Sequence, residues 1–210
     1  MVENYILIIP SILLALTIHE YAHAWMANRF GDPTSKMLGR LSLNPFIHLD
    51  PIGTLMLFLV GFGWAKPVPV DIRYFANPKR MMLWVALAGP LSNIFLALIF
   101  GLLIVLFSTS NLMYNQNTAI IGNLLVYSLQ INLALAFFNM FPIPPLDGSK
   151  ILRGILSYEF DNFLNKLEQL GPIILIGIIL IGYLSGFSII WFVISPLINL
   201  FSSIFTFGLL

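Results

Sequence analysis

Long apolar stretches alternate with short polar ones along this chain of 210 residues. The first, residues 5–28, would reach roughly 36 Å as a helix rising about 1.5 Å per residue, enough to cross a bilayer. Its leading residues, MVEN, carry no positive charge, and the run exceeds the usual signal-peptide core, so a retained span is expected. Residues 31–51 read as a loop punctuated by Gly31, Asp32, Pro33, Asn44 and Pro45. Residues 52–64 (IGTLMLFLVGFGW) are apolar but too short to cross, which predicts a re-entrant, β-hairpin-like or interfacial segment. After a proline- and charge-bearing loop at 65–80, residues 81–109 and 119–141 predict two further spans, joined by an uncharged polar loop. The stretch PIPPLDG at 142–148 cannot continue a helix, because its prolines remove donors and clash with the preceding turn. Residues 149–169 carry Lys150, Arg153, Glu159, Asp161, Lys166 and Glu168 and predict short interfacial helices. Residues 170–186 and 187–209 predict a closing apolar hairpin. The pattern as a whole predicts an all-α polytopic transmembrane bundle of about five full spans.

Composition sharpens this. Apolar residues make up 59% of the chain and charged residues 9%, against about 45–50% and about 25% in soluble domains. The mean hydropathy is +0.92. No acidic, basic or histidine residue occurs in 81–146 or after Glu168. Such a chain belongs in a lipid bilayer, and continuous rather than alternating apolar runs exclude a transmembrane β-barrel. The net charge of +1 offers nothing to a nucleic acid. The absence of cysteine excludes disulfides, thiolate metal ligands and cysteine nucleophiles. If 52–64 returns to its own side, all ten Lys and Arg residues, from Arg29 to Lys166, share one face. The 110–118 loop opposite carries none, so the basic face is expected to be cytoplasmic, with the N-terminus outside and the C-terminus inside.

Charges inside apolar spans call for a function. The first span contains His19-Glu20-Tyr21-Ala22-His23, an H-E-x-x-H pattern. On a helix, residues four apart project from one face, so the two imidazoles can share an ion. Glu20 flanks that site, where a base for a metal-bound water belongs. From this composition the pattern arises by chance roughly once in a thousand such chains. The plainer alternative is polar glue between helices. Catalytic zinc usually takes three protein ligands, and without cysteine a carboxylate is expected. Asp147 is the best candidate. It lies just past the cytoplasmic end of the 119–141 span, at the depth of His19 and His23, and Gly148 would let the backbone turn beside it. The alternative for Asp147 is an N-cap of the helix starting near Gly148. His48, the remaining histidine, is expected at the interface beside Asp50, with ligation as its second option. In GFGWAKPVPV (61–70), Pro67 and Pro69 would strip donors from one strand edge. The other edge keeps the Val68 and Val70 N–H groups for strand addition by a client, unless the segment is only a rigid connector.

HEYAH in the first span, AGPLSN at 88–93 and FNMFPIPPLDG at 138–148 resemble, in order and in type of host span, the three signature segments of the site-2 protease family of intramembrane zinc metalloproteases. The resemblance covers about residues 5–155. It implies one Zn²⁺ per chain held by His19, His23 and Asp147, with Glu20 activating the zinc-bound water. Gly89 and Asn93 match the family's G-x-x-x-N element. Asn139 matches the asparagine of N-x-x-P-x-x-x-x-D-G, and Asn139 or Asn93 is a candidate for contacting substrate or the reaction's oxyanion, or else for bonding between helices. A chain of this length leaves no room for the PDZ or CBS domains many members carry, so it resembles the minimal bacterial branch. A single membrane-embedded peptidase domain over 1–210 is expected, with its core at about 5–155 and a helical hairpin at about 170–209. The implied activity is cleavage of transmembrane protein substrates within a bacterial inner membrane, from a polar chamber open to the cytoplasm. Two rivals are a metal-ion transporter and a non-catalytic module that binds membrane segments. A transporter needs a polar path across the bilayer, yet 81–141 and 170–210 hold no ionisable Asp, Glu, Lys, Arg or His. A binding module has no use for Glu20.

Overall fold

Within hydrocarbon every backbone N–H and C=O must be satisfied by the protein itself, which leaves helices as the building unit for so apolar a chain. The computed structural model describes residues 2–60, 63–109 and 119–210, and the side chains of residues 2–6, 58 and 60 lie outside the description. The loop expected at 110–118 therefore falls outside the described residues. The helices are α1 (Val2–Arg29), α2 (Thr34–Met37), α3 (Pro51–Val60), α4 (Pro78–Thr109), α5 (Ala119–Asn139), α6 (Asp147–Ile155), α7 (Asp161–Ser185) and α8 (Ile189–Phe205). Four of them, α1, α4, α5 and α7, are long and apolar enough to cross a membrane, and α8 is a shorter apolar helix.

α4 packs along both α1 and α5, and α1 also touches α5, giving a three-helix centre. α6 lies against α4, while α8 covers α5 and meets α7. The α1 face turned inward is built from small residues, Ser11, Ala15, Ala24 and Ala27, all buried, so the neighbouring backbones approach closely. Ala97 and Ile104 of α4, Leu129, Leu133 and Phe137 of α5, and Ile194 and Ile198 of α8 form the main apolar cluster. Around it the usual ordering of a soluble protein is inverted. Leu91, Phe95, Leu106, Ile173, Ile176 and Leu180 face outward, whereas His19, Glu20, His23, Asn93, Asn132 and Asp147 are buried.

The segment after α1 turns out helical. Asp50 Oδ1 accepts from Gly53 N–H at 2.7 Å and Pro51 opens α3, a capped start that favours helix over strand. No strand occurs among the described residues. One antiparallel bridge, Leu49 with Ala65, is all that remains of the expected hairpin character. Lys66 N–H donates to His48 O at 2.9 Å, so the chain leaves and returns at the same place and α3 does not cross.

A second correction concerns 149–169. The stretch up to Ile155 is a short helix and Tyr158–Phe160 a single 3-10 turn, but Asp161–Glu168 forms the opening turns of α7, which continues through Gly171 and Pro172. Arg153 ties the two together, donating to Glu168 Oε1 and to Asn165 Oδ1, each at 2.9 Å. A hydropathy step is not a helix end when one face of the polar turns is paired in this way. α4 likewise begins earlier than expected, at Pro78, because Asn77 Oδ1 caps Arg80 N–H at 3.2 Å.

Gly101 sets how near α8 comes to α4: a Cβ there would fall 2.7 Å from Phe205 Cβ, whereas one at Gly177 meets nothing within 4 Å. Gly101→Ala is expected to cost about 1–3 kcal/mol through overpacking. Gly177→Ala is expected to be neutral or slightly stabilising. Thermal unfolding of the two variants in detergent checks the contrast.

Candidate active site

Three elements far apart in sequence supply the site. α1 carries His19, Glu20 and His23, α4 supplies Gly89 and Asn93, and α6 opens with Asp147. The helical spacing predicted for the histidines holds. Their rings stand edge to face with centroids 4.7 Å apart, and both Nε2 atoms approach a single carboxylate oxygen. His19 Nε2 is 3.1 Å and His23 Nε2 3.0 Å from Asp147 Oδ2. One ligand atom from each of the three lies within 4.8 Å of the others, and all three residues are buried. Gly89 makes room for them: a Cβ would stand 2.7 Å from His19 Cε1 and closer still to the His23 ring.

The Nδ1 atoms decide what the Nε2 atoms can be. His23 Nδ1 lies 2.7 Å from Val85 O, which can only accept, so Nδ1 carries the hydrogen. Asn93 donates its Nδ2 hydrogens to Ala15 O at 2.9 Å and to Asn132 Oδ1 at 2.8 Å. The atom it turns to His19 Nδ1, at 2.6 Å, is thus Oδ1, an acceptor, and His19 also holds its hydrogen on Nδ1. With Nδ1 carrying the hydrogen, each imidazole in its neutral form would turn its Nε2 lone pair toward the carboxylate. That donor set, two nitrogens and one oxygen with ring hydrogens tied off behind, fits a divalent cation of the zinc type.

Asp147 reaches the histidines because the chain breaks after α5. The non-helical run 140–146, with a cis bond at Pro144-Pro145, delivers α6 beside α4. Gly148 serves a different need from the sharp turn expected of it. It sits inside α6, and a Cβ would collide with the Met140 and Phe141 carbonyls, so its role is close approach. Asp147 does not act as an N-cap: α6 starts at Asp147 itself, and the Asp147 side chain faces the histidines and Lys150, whose Nζ is 3.3 Å from Oδ1.

Glu20 is buried, and its Oε2 accepts from Val68 N–H at 3.2 Å. The Val68 N–H that the sequence leaves for a client is thus turned toward Glu20. The run 66–71 is held from the other side by residues that sequence reasoning missed. Arg40 donates to Lys66 O and, at 3.5 Å, to Pro67 O. Ser35 Oγ donates to Pro69 O at 2.6 Å, and Asp32 Oδ2 accepts from Asp71 N–H at 2.8 Å. Burial lowers the pKa of the Arg40 guanidinium from its usual value, and the Glu20 carboxylate opposes that shift.

His48 stands apart from the cluster. It is fully buried, with Nε2 donating to Ser42 O at 2.8 Å, and Asp50 is occupied in capping α3. Asn139 donates to Leu135 O at 2.9 Å, one turn back on its own helix. Asn132 was missed as well. Its signal was an amide in the apolar span 119–141, seven residues before the motif asparagine.

Comparison with known proteins accords with this chemistry. Residues 108–182 match peptidase family M50. The chain is 35% identical over 203 residues to "Putative zinc metalloprotease YwhC" of Bacillus subtilis, covering 94% of this chain and 92% of that one. It is 30% identical over 182 residues to "Putative zinc metalloprotease Rip2" of Mycolicibacterium smegmatis, covering 84% and 67%. It is 29% identical over 178 residues to "Zinc metalloprotease MJ0392" of Methanocaldococcus jannaschii, covering 83% and 42%. No solved structure matches it significantly. With a buried His-His-Asp donor set and a relative matched along nearly its whole length, the chain belongs to peptidase family M50, the site-2 proteases, and is a membrane-integral zinc metalloprotease.

Proposed function

We propose that this protein is an intramembrane endopeptidase of one domain, hydrolysing peptide bonds in or near the transmembrane segments of membrane proteins. In this reading His19, His23 and Asp147 hold one Zn²⁺ per chain and Glu20 is the general base. The observation that carries it is the meeting of both Nε2 atoms on Asp147 Oδ2, 3.0–3.1 Å away, inside an otherwise apolar bundle. When bound, zinc supplies Lewis acidity that polarises the scissile carbonyl and lowers the pKa of the attacking water. Glu20 takes the proton from that water and passes it to the departing amine nitrogen. Asn139, with one amide hydrogen on Leu135 O, is assigned its other for the developing oxyanion. Asn93 is assigned to His19, since both its amide hydrogens are spent on Ala15 and Asn132.

The client must be locally extended, because a helix hides its carbonyls in its own hydrogen bonds. Val70 N–H is proposed to offer the edge to which it adds, while Val68, whose N–H is held by Glu20 Oε2, keeps that edge beside the base. The basic loops support a site toward the cytoplasmic face of a bacterial cell membrane.

Glu20→Gln is expected to lower cleavage of a model transmembrane substrate by about 10²–10⁴-fold while zinc stays near one per chain. Activity equal to wild type would end the protease reading.

Metal analysis of purified His19→Ala and Asp147→Ala is expected to show loss of zinc, with His48→Ala retaining it. The reverse pattern for Asp147 and His48 would move the third ligand.

A photo-crosslinker at position 70 is expected to capture the substrate, and an adduct unaffected by excess unlabelled substrate would leave segment 66–70 a mere connector.

A further inference from the structure

Behind His19 a chain of polar side chains runs on past Asn93, beyond what the proposed chemistry uses. Asn93 Oδ1 meets His19 Nδ1 at 2.6 Å, and Asn93 Nδ2 meets Asn132 Oδ1 at 2.8 Å. Asn132 Nδ2 donates to Ser128 O at 2.8 Å, and Ser128 Oγ meets Ser11 Oγ at 2.9 Å. Asn93 and Asn132 are both fully buried, where an amide turned the wrong way leaves donors facing donors with no water to relieve them. Backbone carbonyls fix both amides. Ala15 O can only accept, which makes the Asn93 atom beside it nitrogen; Ser128 O does the same for Asn132.

We infer that Asn132 is a positioning residue of the metal centre: by accepting from Asn93 it locks that amide so that Asn93 Oδ1 receives the His19 Nδ1 hydrogen and the Nε2 lone pair stays aimed at the ion. The inference rests on the metal-centre reading above. It treats the two histidines differently. His23 is held by the backbone at Val85 O and needs no such relay, whereas His19 depends on two side chains from two other helices. A polar residue on α5 thereby acts on a ligand of α1 that it does not touch.

The test is zinc affinity, measured by chelator competition on zinc-stripped protein, together with ring N–H spectra of zinc-loaded protein labelled with ¹⁵N-histidine. With three histidines in the chain the spectrum is assignable. Wild type is expected to bind one zinc and to show protected Nδ1–H signals for both His19 and His23. Asn93→Leu is expected to weaken zinc binding by about tenfold or more. Asn132→Leu is expected to weaken it less and to shift and deprotect the His19 Nδ1–H signal while leaving His23 unmoved. Asn132→Asp keeps an oxygen to accept from Asn93 and should lie nearer wild type than Asn132→Leu. Unchanged affinity and an unmoved His19 signal in Asn132→Leu would overturn the inference, as would equal shifts in both histidines. Should that variant not fold, an unprotected His19 Nδ1–H in wild type overturns it alone. Wild type binding no zinc would instead remove the metal-centre reading.

Discussion

Two imidazole nitrogens crowded against one carboxylate oxygen need a shared positive charge between them, a proton or a metal cation. His19, His23 and Asp147 are in this position, buried among apolar helices where an uncompensated charge costs several kcal/mol. The rest of the bundle can be understood as what that convergence demands. α1 must be helical to put His19 and His23 on one face. α4 must be bare at Gly89 to pass beside the rings. The chain after α5 must break so that Asp147 arrives from a separate short helix rather than from the span itself.

Satisfying so many polar groups inside the bundle shapes the packing between the first, fourth and fifth helices. Around the site their contact is lined with Ser11 and Ala15 of α1, Asn93 of α4 and Ser128 and Asn132 of α5. Interhelical hydrogen bonds replace the hydrophobic force that lipid cannot supply. The wholly apolar cluster of α4, α5 and α8 lies apart from the metal centre and needs only close packing, with Gly101 admitting Phe205.

Much of this was legible in the chain because its strongest signals are local. The H-E-x-x-H spacing fixes a helix face, and long uncharged runs fix spans. Asp147 could be matched to the histidines by depth, since the proline-rich break ends the preceding span near the basic face. What escaped depends on contacts that the pattern of apolar and polar positions does not show. The return of α3 to its starting point hides its helical nature, because a short apolar run fits strand or helix until Asp50 is seen capping it. α7 runs through a hydropathy step because Arg153 on α6 pairs with Asp161, Asn165 and Glu168 along one face. Asn132 and Arg40 look ordinary in sequence and gain meaning only from what they touch.

The anchoring of residues 66–71 carries an energetic consequence for an extended client. Arg40, Ser35 and Asp32 fix three carbonyls and an N–H of this run before any substrate arrives. Ordering a free backbone costs about 1–2 kcal/mol per residue, and here that entropy is lost during folding. In the proposed reading a docking strand would meet a template already rigid and surrender only its own freedom. If clients dock there as proposed, the same rigidity would make the threshold selective: a segment that unwinds with difficulty gains nothing from the template's stiffness, so helix stability in the client, rather than side-chain recognition, would be the first filter on what is cut.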